Sequence, residues 1–247
     1  MLYFSLSVEM TLPISLTSIS SRLDILGRTL RILLNQTLTP SGIYVYLSRD
    51  PYGIDEGCKV LPKDLQILFA TESLLHLRWV ENTGPYCKIL PFSKEFPNTP
   101  VLVVDDDTKY LPTLVERAYA LWLQHQCCIT FRATEMNLET SYSTWPNAAG
   151  RTAIQLFAKG NGGIVYHTSW FQDPRIHDFA KYKELAPLAD DVWLNAWRIQ
   201  QNIPCYCDPE PSFAHTVSTR KCLFQINESK NDETIRATWA YVFGSQS

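Results

Sequence analysis

The first half of the chain alternates between short apolar runs and stretches with apolar residues at helical spacing. Apolar runs predict strands at residues 12–17, 43–47 and 74–80. Between the first two strands, leucines recur every three or four positions over residues 22–36, which predicts an amphipathic helix. This strand–helix–strand order predicts a right-handed parallel crossover and therefore an α/β fold.

The strongest apolar run, residues 101–104, ends in three adjacent carboxylates, Asp105, Asp106 and Asp107. Its branched apolar residues fit a strand that is buried on both faces. Three neighbouring aspartates repel one another and are costly to bury without a cation, so we expect them at a strand end that faces a cleft. Their hard oxygen atoms suit Mg²⁺ or Mn²⁺. A polar turn after a core strand is the alternative.

The hydrophobic pattern of the rest of the chain predicts secondary structure less clearly. Residues 51–73 are compatible with a short helix that the pattern does not place, and residues 159–163 (Lys-Gly-Asn-Gly-Gly) are expected to be the most flexible stretch. The final forty residues are expected to be irregular. Helices are predicted from Gly84-Pro85 through Lys88, Ile89 and Leu90 and at 111–126, 174–183 and 189–198, and strands at 127–131 and 164–166. One domain with a mostly parallel first half and an irregular second half is the simplest arrangement.

The composition is that of an ordinary globular protein. Of 247 residues, 45% are apolar and 19% are charged, and the formal net charge is −3. This balance lacks the basic surface that sequence-independent nucleic-acid binding requires, so nucleic acid is not expected as a partner.

The cysteines and the hydropathy of the chain indicate the cellular compartment of the protein. Seven cysteines occur without the two spaced pairs of a zinc site, and we expect mostly reduced, buried thiols. No apolar run is long enough to span a membrane. The first ten residues lack the basic start and long apolar core of a signal peptide. A cytoplasmic protein without an integral membrane segment is therefore predicted, and peripheral membrane association stays open.

Polar residues follow the predicted carboxyl ends of the first two strands. They are Thr17, Ser18 and Arg22 after the first strand, and the turn 48–50 after the second. Parallel sheets bind ligands outside the carboxyl ends of their strands, so these residues are site candidates.

A second acidic pair, Asp190-Asp191, opens the predicted helix at 189–198. One explanation is structural, because the helix dipole favours negative charge in the first turn. The functional explanation is that a carboxylate here accepts a proton from a hydroxyl group of a substrate. Similarly, the glycines at 160–163 either allow the backbone to approach a ligand closely or form a plain loop.

Two other phosphate chemistries fit the sequence poorly. Haloacid-type phosphatases use Asp-x-Asp-x-Thr, but Lys109 stands where that threonine is needed and Thr108 falls one place short. A Walker-type phosphate loop is also excluded, because residues 159–163 lack the Gly-Lys-Ser/Thr ending.

Taken together, several stretches resemble the family-2-like glycosyltransferases of bacterial polysaccharide synthesis, which have the GT-A fold. The motif order is also similar to that of exostosin-type catalytic domains. The matching stretches, in chain order, are Pro-Ile-Ser-Leu-Thr-Ser-Ile (13–19) with Arg22, Leu-Leu-Asn-Gln-Thr (33–37), Gly84-Pro85-x-x-Lys88, Val-Asp-Asp-Asp (104–107) with Tyr110, Gly-Asn-Gly-Gly-Ile-Val-Tyr (160–166) and Ala-Asp-Asp-Val-Trp-Leu (189–194).

This resemblance implies a single GT-A-like domain over residues 1–247, with a Rossmann-like, mostly parallel sheet flanked by helices. Its nucleotide-binding half covers about 12–110 and its acceptor-binding half about 111–247. The implied ligands are a nucleoside-diphosphate sugar, with a UDP-sugar favoured, and Mn²⁺ or Mg²⁺ at the Asp-x-Asp motif. On this basis Asp107 binds the metal directly, while Asp105 faces the donor and reaches the metal through water.

The resemblance assigns further roles by motif. Asp191 matches the catalytic base of inverting members. Thr17, Ser18, Arg22, Lys88 and Asp106 are assigned to the nucleotide, Asp50 to its base, and Gly162, Gly163 and Asp190 to the sugars.

The predicted function is therefore metal-dependent transfer of a hexose from a UDP-sugar to a hydroxyl group on a glycan or lipid-linked acceptor. A nucleotidyltransferase is one alternative, although the turn at 17–22 lacks the glycine-rich loop of that class. A non-catalytic nucleotide- or sugar-binding module is another. His215 is positioned in sequence as a late metal ligand, and a plain surface histidine is the competing interpretation.

Overall fold

The computed structural model describes residues 11–216 and 230–244. The strands are β1 (Ile14–Thr17), β2 (Ile43–Leu47), β3 (Leu75–Trp79), β4 (Pro100–Val103), β5 (Thr108–Tyr110), β6 (Cys128–Thr130), β7 (Ala133–Glu135), β8 (Thr152–Ala153), β9 (Leu156–Ala158), β10 (Ile164–His167), β11 (Cys205–Cys207) and β12 (Phe213–Thr216). The helices are α1 (Leu23–Leu34), α2 (Lys63–Thr71), α3 (Leu90–Glu95), α4 (Leu114–His125), α5 (Phe179–Leu185), α6 (Asp190–Gln200) and α7 (Asn231–Gly244).

An eight-stranded sheet, in the order β3-β2-β1-β4-β10-β6-β11-β8, forms the centre of the protein. Strands β3, β2, β1 and β4 are parallel, and β10 runs antiparallel between β4 and β6. Strand β11 is again parallel to β6. The predicted parallel crossover between the first two strands is confirmed, and so is the α/β fold with a mostly parallel sheet flanked by helices.

The core lies on both faces of this sheet. Along β4, Val101 and Val103 pack into one buried cluster with the tryptophans of α6, while Leu102 and Val104 pack into a second cluster with the leucines of α1. Successive side chains of a strand point to opposite faces, so this alternation shows that β4 is covered on both sides. The prediction of a doubly buried strand before the three aspartates is confirmed.

Residues 51–73 contain helix α2, the short helix that the pattern allowed but did not place. Two predictions about regularity are wrong. The final part of the chain contains helix α7, in which Ile235, Trp239 and Val242 recur at helical spacing and are buried. The stretch at 159–163 is a 3₁₀ turn with buried glycines rather than the most flexible segment. Its backbone hydrogen bonds, including one from the Gly163 N–H to the Gly160 carbonyl at 2.9 Å, account for the difference.

Smaller differences concern the segments beside the acidic stretch. The residues from Gly84 to Lys88 form a 3₁₀ helix, and α3 begins only at Leu90. Strand β5, which no pattern predicted, pairs antiparallel with β12. His215 belongs to β12, but its side chain lies outside the described part of the structure.

Two predictions about the whole chain can be compared with the described ranges. Six cysteines in these ranges are buried and free, as expected for reduced thiols, and Cys222 lies outside them. No helix within 11–216 or 230–244 is long and apolar enough to cross a membrane.

Candidate active site

A cavity of about 500 Å³ lies at the carboxyl ends of β1, β2 and β4. Helix α6 and the segments between β6 and β10 form its other wall. The charged residues that line it are Arg22, Asp55, Lys88, Asp105, Asp106, Asp107, Arg132, Lys159, Asp190 and Asp191. The sheet thus brings the acidic stretch after β4 and the acidic pair at the start of α6 to one cavity.

Arg22 compensates two of the three central aspartates. Its guanidinium lies 3.2 Å from a carboxylate oxygen of Asp106 and 2.7 Å from one of Asp107. The Ser18 hydroxyl also donates to Asp106, and the main-chain carbonyl of Asp106 accepts from Thr29 at 2.6 Å. Asp106 is therefore held through both its side chain and its main-chain carbonyl.

Burial raises the pKa values of two carboxyl groups in this acidic stretch. Desolvation raises the pKa of Asp106 to about 7, although Arg22 opposes the shift. Burial, followed by repulsion from Asp105, also raises the pKa of Asp107. Both shifts reflect first the loss of water around the carboxyl groups, which the charge of Arg22 does not fully offset.

Lys88 links Asp105 to the second acidic pair. Its Nζ lies 2.9 Å from an oxygen of Asp105 and 2.9 Å from an oxygen of Asp190, and the lysine is only 6% exposed. Ser15 in β1 donates to the Lys88 carbonyl at 2.5 Å, which fixes the lysine backbone against the sheet. Burial alone would lower the pKa of Lys88, but Asp105 and Asp190 outweigh burial and raise it.

Asp191 follows Asp190 in the chain, and hydrogen bonds fix both its side chain and its main chain. Its carboxylate accepts a hydrogen bond from the Gly160 N–H at 3.0 Å, and its main-chain carbonyl accepts one from Asn195 at 2.7 Å. Burial and then repulsion from Asp190 raise the pKa of Asp191 to about 7. A carboxylate with this pKa can accept a proton near neutral pH.

Asp55 lines the cavity, whereas Asp50, which the resemblance assigned to the nucleotide base, does not. Asp50 is exposed and does not line the cavity. Asp55 is buried and accepts from the N–H of Ser20 at 2.8 Å and from Asn82 at 3.0 Å. Asn82 follows the carboxyl end of β3, so the strand-end rule applied to β3 would have found it, whereas nothing in the irregular stretch marked Asp55.

Of the other residues that the sequence proposed for the site, some line the cavity and others do not. Thr17 and Ser18 line the cavity, and Thr17 also donates to the carbonyl of Tyr46 at 2.7 Å. Gly162 and Gly163 do not line it. A Cβ at Gly162 would lie 3.0 Å from the Arg132 nitrogen, and Gly163 has a φ of 87°, so both glycines serve the turn itself.

Sequence reasoning missed the wall formed by Arg132, Lys159 and Tyr142. Helix α7 supports this wall, because the Asp232 carboxylate accepts from the Tyr142 N–H at 2.7 Å and from the Ser141 hydroxyl at 2.7 Å. These residues lie in polar stretches whose pattern carries no signal for a site.

The described residues contain no group of three His, Cys, Asp or Glu side chains arranged to hold a metal ion. Asp105 and Asp107 nevertheless present carboxylates to the cavity, one paired with Lys88 and the other with Arg22. This set fits a hard divalent cation only if other oxygen atoms, such as phosphate and water, complete its shell.

The fold and this cavity define the chain as an α/β protein with a GT-A-like fold, as its motif order predicted. No protein-family model matches the sequence, and a comparison with curated proteins finds no match. The similarity to the structures below shows the fold alone.

Among solved structures, the chain is similar to S. aureus TarS 1-349, with a TM-score of 0.54 and 17% sequence identity over 83% of this chain and 59% of that one. The chain therefore spans less than two thirds of that structure. For TarS 1-349 in complex with UDP-GlcNAc, the TM-score is 0.56 and the identity 15%, over 96% of this chain and 74% of that one.

The chain is also similar to a putative glucose-1-phosphate thymidylyltransferase from Bacillus anthracis, in complex with a sucrose. The TM-score is 0.54 and the identity 10%, over 92% of this chain and 95% of that one. The chain thus shares its fold both with a structure that binds UDP-GlcNAc and with a putative thymidylyltransferase.

Proposed function

We propose that the protein is a glycosyltransferase that moves a hexose from a UDP-sugar to a hydroxyl group of a glycan or lipid-linked acceptor in polysaccharide synthesis. The observation that carries this proposal is the position of Lys88, whose Nζ lies 2.9 Å from both Asp105 and Asp190. One buried cation thereby contacts both the acidic stretch suited to a diphosphate and the acidic pair that includes Asp191.

The donor is proposed to lie across the carboxyl ends of the parallel strands. Thr17, Ser18 and Asp55 line the part of the cavity assigned to the nucleoside, together with apolar residues such as Ile19 and Ile54. UDP is the favoured nucleotide because TarS has been crystallised with UDP and with UDP-GlcNAc.

Mn²⁺ or Mg²⁺ is proposed as the cofactor because a diphosphate would otherwise face a surplus of negative charge. Six carboxylates and four cationic side chains line the cavity within the described ranges, and two of these cations already pair with carboxylates. Asp107 and Asp105 would hold the metal together with phosphate oxygens. The bound ion would stabilise the negative charge of the departing diphosphate.

Asp191 is proposed as the base. As the acceptor oxygen forms its bond to the anomeric carbon of the donor sugar, the bond from that carbon to the diphosphate oxygen breaks, and the nucleoside diphosphate leaves with the bonding electrons. The proton of the acceptor hydroxyl passes to the Asp191 carboxylate. The hydrogen bond from Gly160 orients that carboxylate and keeps it at a defined position in the wall.

Two experiments test this proposal, one on nucleotide binding and one on the reaction. Isothermal titration with UDP, with and without Mn²⁺, compares the wild type with Asp107→Ala; we expect Mn²⁺ to strengthen UDP binding in the wild type and to have little effect in the variant. Hydrolysis of a panel of sugar nucleotides then compares the wild type with Asp191→Asn. UDP binding that is indifferent to Mn²⁺ would show the metal assignment to be wrong, and full activity of Asp191→Asn would remove Asp191 as the base.

A nucleotidyltransferase is the second candidate, favoured by the structural likeness to the putative thymidylyltransferase. That reaction joins a nucleoside triphosphate to a sugar 1-phosphate and releases pyrophosphate. Release of pyrophosphate from these substrates would support this candidate, whereas release of UDP from a UDP-sugar would support glycosyl transfer.

A further inference from the structure

Arg132 and Lys159 differ from the other cations of the cavity. Neither side chain forms an ion pair with any residue in the described ranges, whereas Arg22 and Lys88 are each paired with two aspartates. Arg132 is exposed and Lys159 is half-buried. The cavity therefore contains two cations that are already paired with aspartates, and two that are available to an anionic ligand.

Backbone pairing places these two cations side by side. The Lys159 N–H donates to the Arg132 carbonyl at 2.9 Å, at the point where β7 and β9 begin to pair. Lys159 also lies over the Tyr142 ring, with its Nζ 4.9 Å from the ring centroid. Burial and then the charge of Arg132 lower the pKa of Lys159, so the two positive charges repel each other. A bound anion would relieve this repulsion.

The pair lies on the Asp191 side of the cavity. Asp191 acts electrostatically on Lys159 and on Tyr142, and it accepts from Gly160, the residue after Lys159. The acidic stretch that suits the donor diphosphate instead contacts Arg22 and Lys88. The unpaired cations are thus close to the proposed base, and neither forms an ion pair with the acidic stretch in the described ranges.

We propose that Arg132 and Lys159 bind an anionic group of the acceptor, a phosphate ester or a carboxylate, close to the hydroxyl group that is glycosylated. This inference rests on the proposed glycosyl transfer and adds the chemical class of the acceptor. The planar guanidinium of Arg132 matches either anion with two hydrogen bonds, and Lys159 adds a point charge.

The experiment separates the acceptor from the donor. Isothermal titration measures glucose 6-phosphate, glucuronate and glucose as probes on protein saturated with UDP and Mn²⁺. We expect at least one anionic probe to bind about 10-fold or more tightly than glucose, because charge-assisted hydrogen bonds exceed neutral ones. The variant Arg132→Gln/Lys159→Gln should lose this preference while its affinity for UDP stays within about 2-fold of the wild type.

A matched control removes the same two charges elsewhere. Arg28 and Lys63 are exposed on α1 and α2 and do not line the cavity, so Arg28→Gln/Lys63→Gln should keep the preference. Thermal unfolding of both double variants checks that they are folded. The two anionic probes also distinguish a phosphate site from a carboxylate site.

Three results would contradict the inference. If the wild type binds UDP but does not prefer either anionic probe, the acceptor site is wrong while the proposed function stands. If UDP affinity falls in the Arg132→Gln/Lys159→Gln variant as strongly as probe affinity, the cations hold the donor instead. If the wild type does not bind UDP at all, the proposed function fails, and this inference fails with it.

Discussion

The Nζ of Lys88 lies 2.9 Å from a carboxylate oxygen of Asp105, although the two residues belong to different segments of the chain. On its other side the same atom lies 2.9 Å from Asp190 at the start of α6. The lysine is almost completely buried, so its charge is compensated by these carboxylates rather than by water. The first prediction follows from this position.

Lys88→Met should destabilise the protein by about 3–5 kcal/mol, because removing one partner of a buried ion pair leaves uncompensated charge. Urea unfolding followed by circular dichroism measures the change. Arg78→Met is the control: Arg78 pairs with Glu95 at a half-exposed surface site, and its loss should cost less than about 1 kcal/mol. Equal losses for the two variants would contradict the importance of burial at Lys88.

The activity of the protein should rise with pH through about 7, because Asp191 must be ionised to accept a proton and its pKa is raised to about that value. The Asp191→Asn variant should lose a factor of about 10² to 10⁴ in kcat/KM together with this pH dependence. A pH profile of UDP release measures both effects.

The matched control is Asp24→Asn, an exposed aspartate of α1 outside the cavity. It should keep the wild-type profile. An unchanged pH profile in Asp191→Asn would assign the titration to another group.

Asp106 should make the protein less stable as the pH rises. Its pKa is 3.8 in a model peptide and about 7 in the folded chain, so the folded state binds the proton more tightly than the unfolded state. The stabilisation from this proton is complete below about pH 4 and is lost as the pH rises through about 7.

Asp106→Asn cannot ionise, and it should therefore gain stability relative to the wild type as the pH increases. Urea unfolding of both proteins between about pH 5 and about pH 8 measures the difference. A difference that is constant over this range would show that Asp106 does not titrate there.

The nucleotide end of the cavity can be tested by comparing two nearby aspartates. Asp55→Asn should weaken UDP binding about 10-fold, because Asp55 organises the backbone at Ser20 and the side chain of Asn82 by accepting their hydrogen bonds. Asp50→Asn should leave UDP binding unchanged, because Asp50 is exposed outside the cavity. Titration with UDP in the presence of Mn²⁺ measures both, and a larger effect at Asp50 would restore the sequence-based assignment.

The sheet was predictable where the apolar pattern was strong. Strand β2 begins and ends at the predicted residues, because Ile43 to Leu47 is an uninterrupted β-prone run. Helix α7 was missed although Ile235, Trp239 and Val242 recur at helical spacing, because further apolar residues such as Ala237, Ala240 and Tyr241 stand between them and the segment lacks a strong amphipathic pattern.

The site was only partly predictable. The strand-end rule found Thr17, Ser18 and the three aspartates, because a parallel sheet brings such residues to one edge. The meeting of Asp105 with Asp190 through Lys88 was not predicted, since no spacing in the sequence encodes it. The pairing of β7 with β9, which places Arg132 beside Lys159, is a contact between distant segments that local patterns do not report.

The contacts between Asp232 and the turn that begins at Tyr142 have a consequence for synthesis of the chain. The sheet strands and the three aspartates precede residue 232 in the chain and are therefore translated before it. Until α7 arrives, the Tyr142 turn lacks the carboxylate that caps it. The binding cavity is therefore finished late, when nearly all of the strands that form its floor have already been translated.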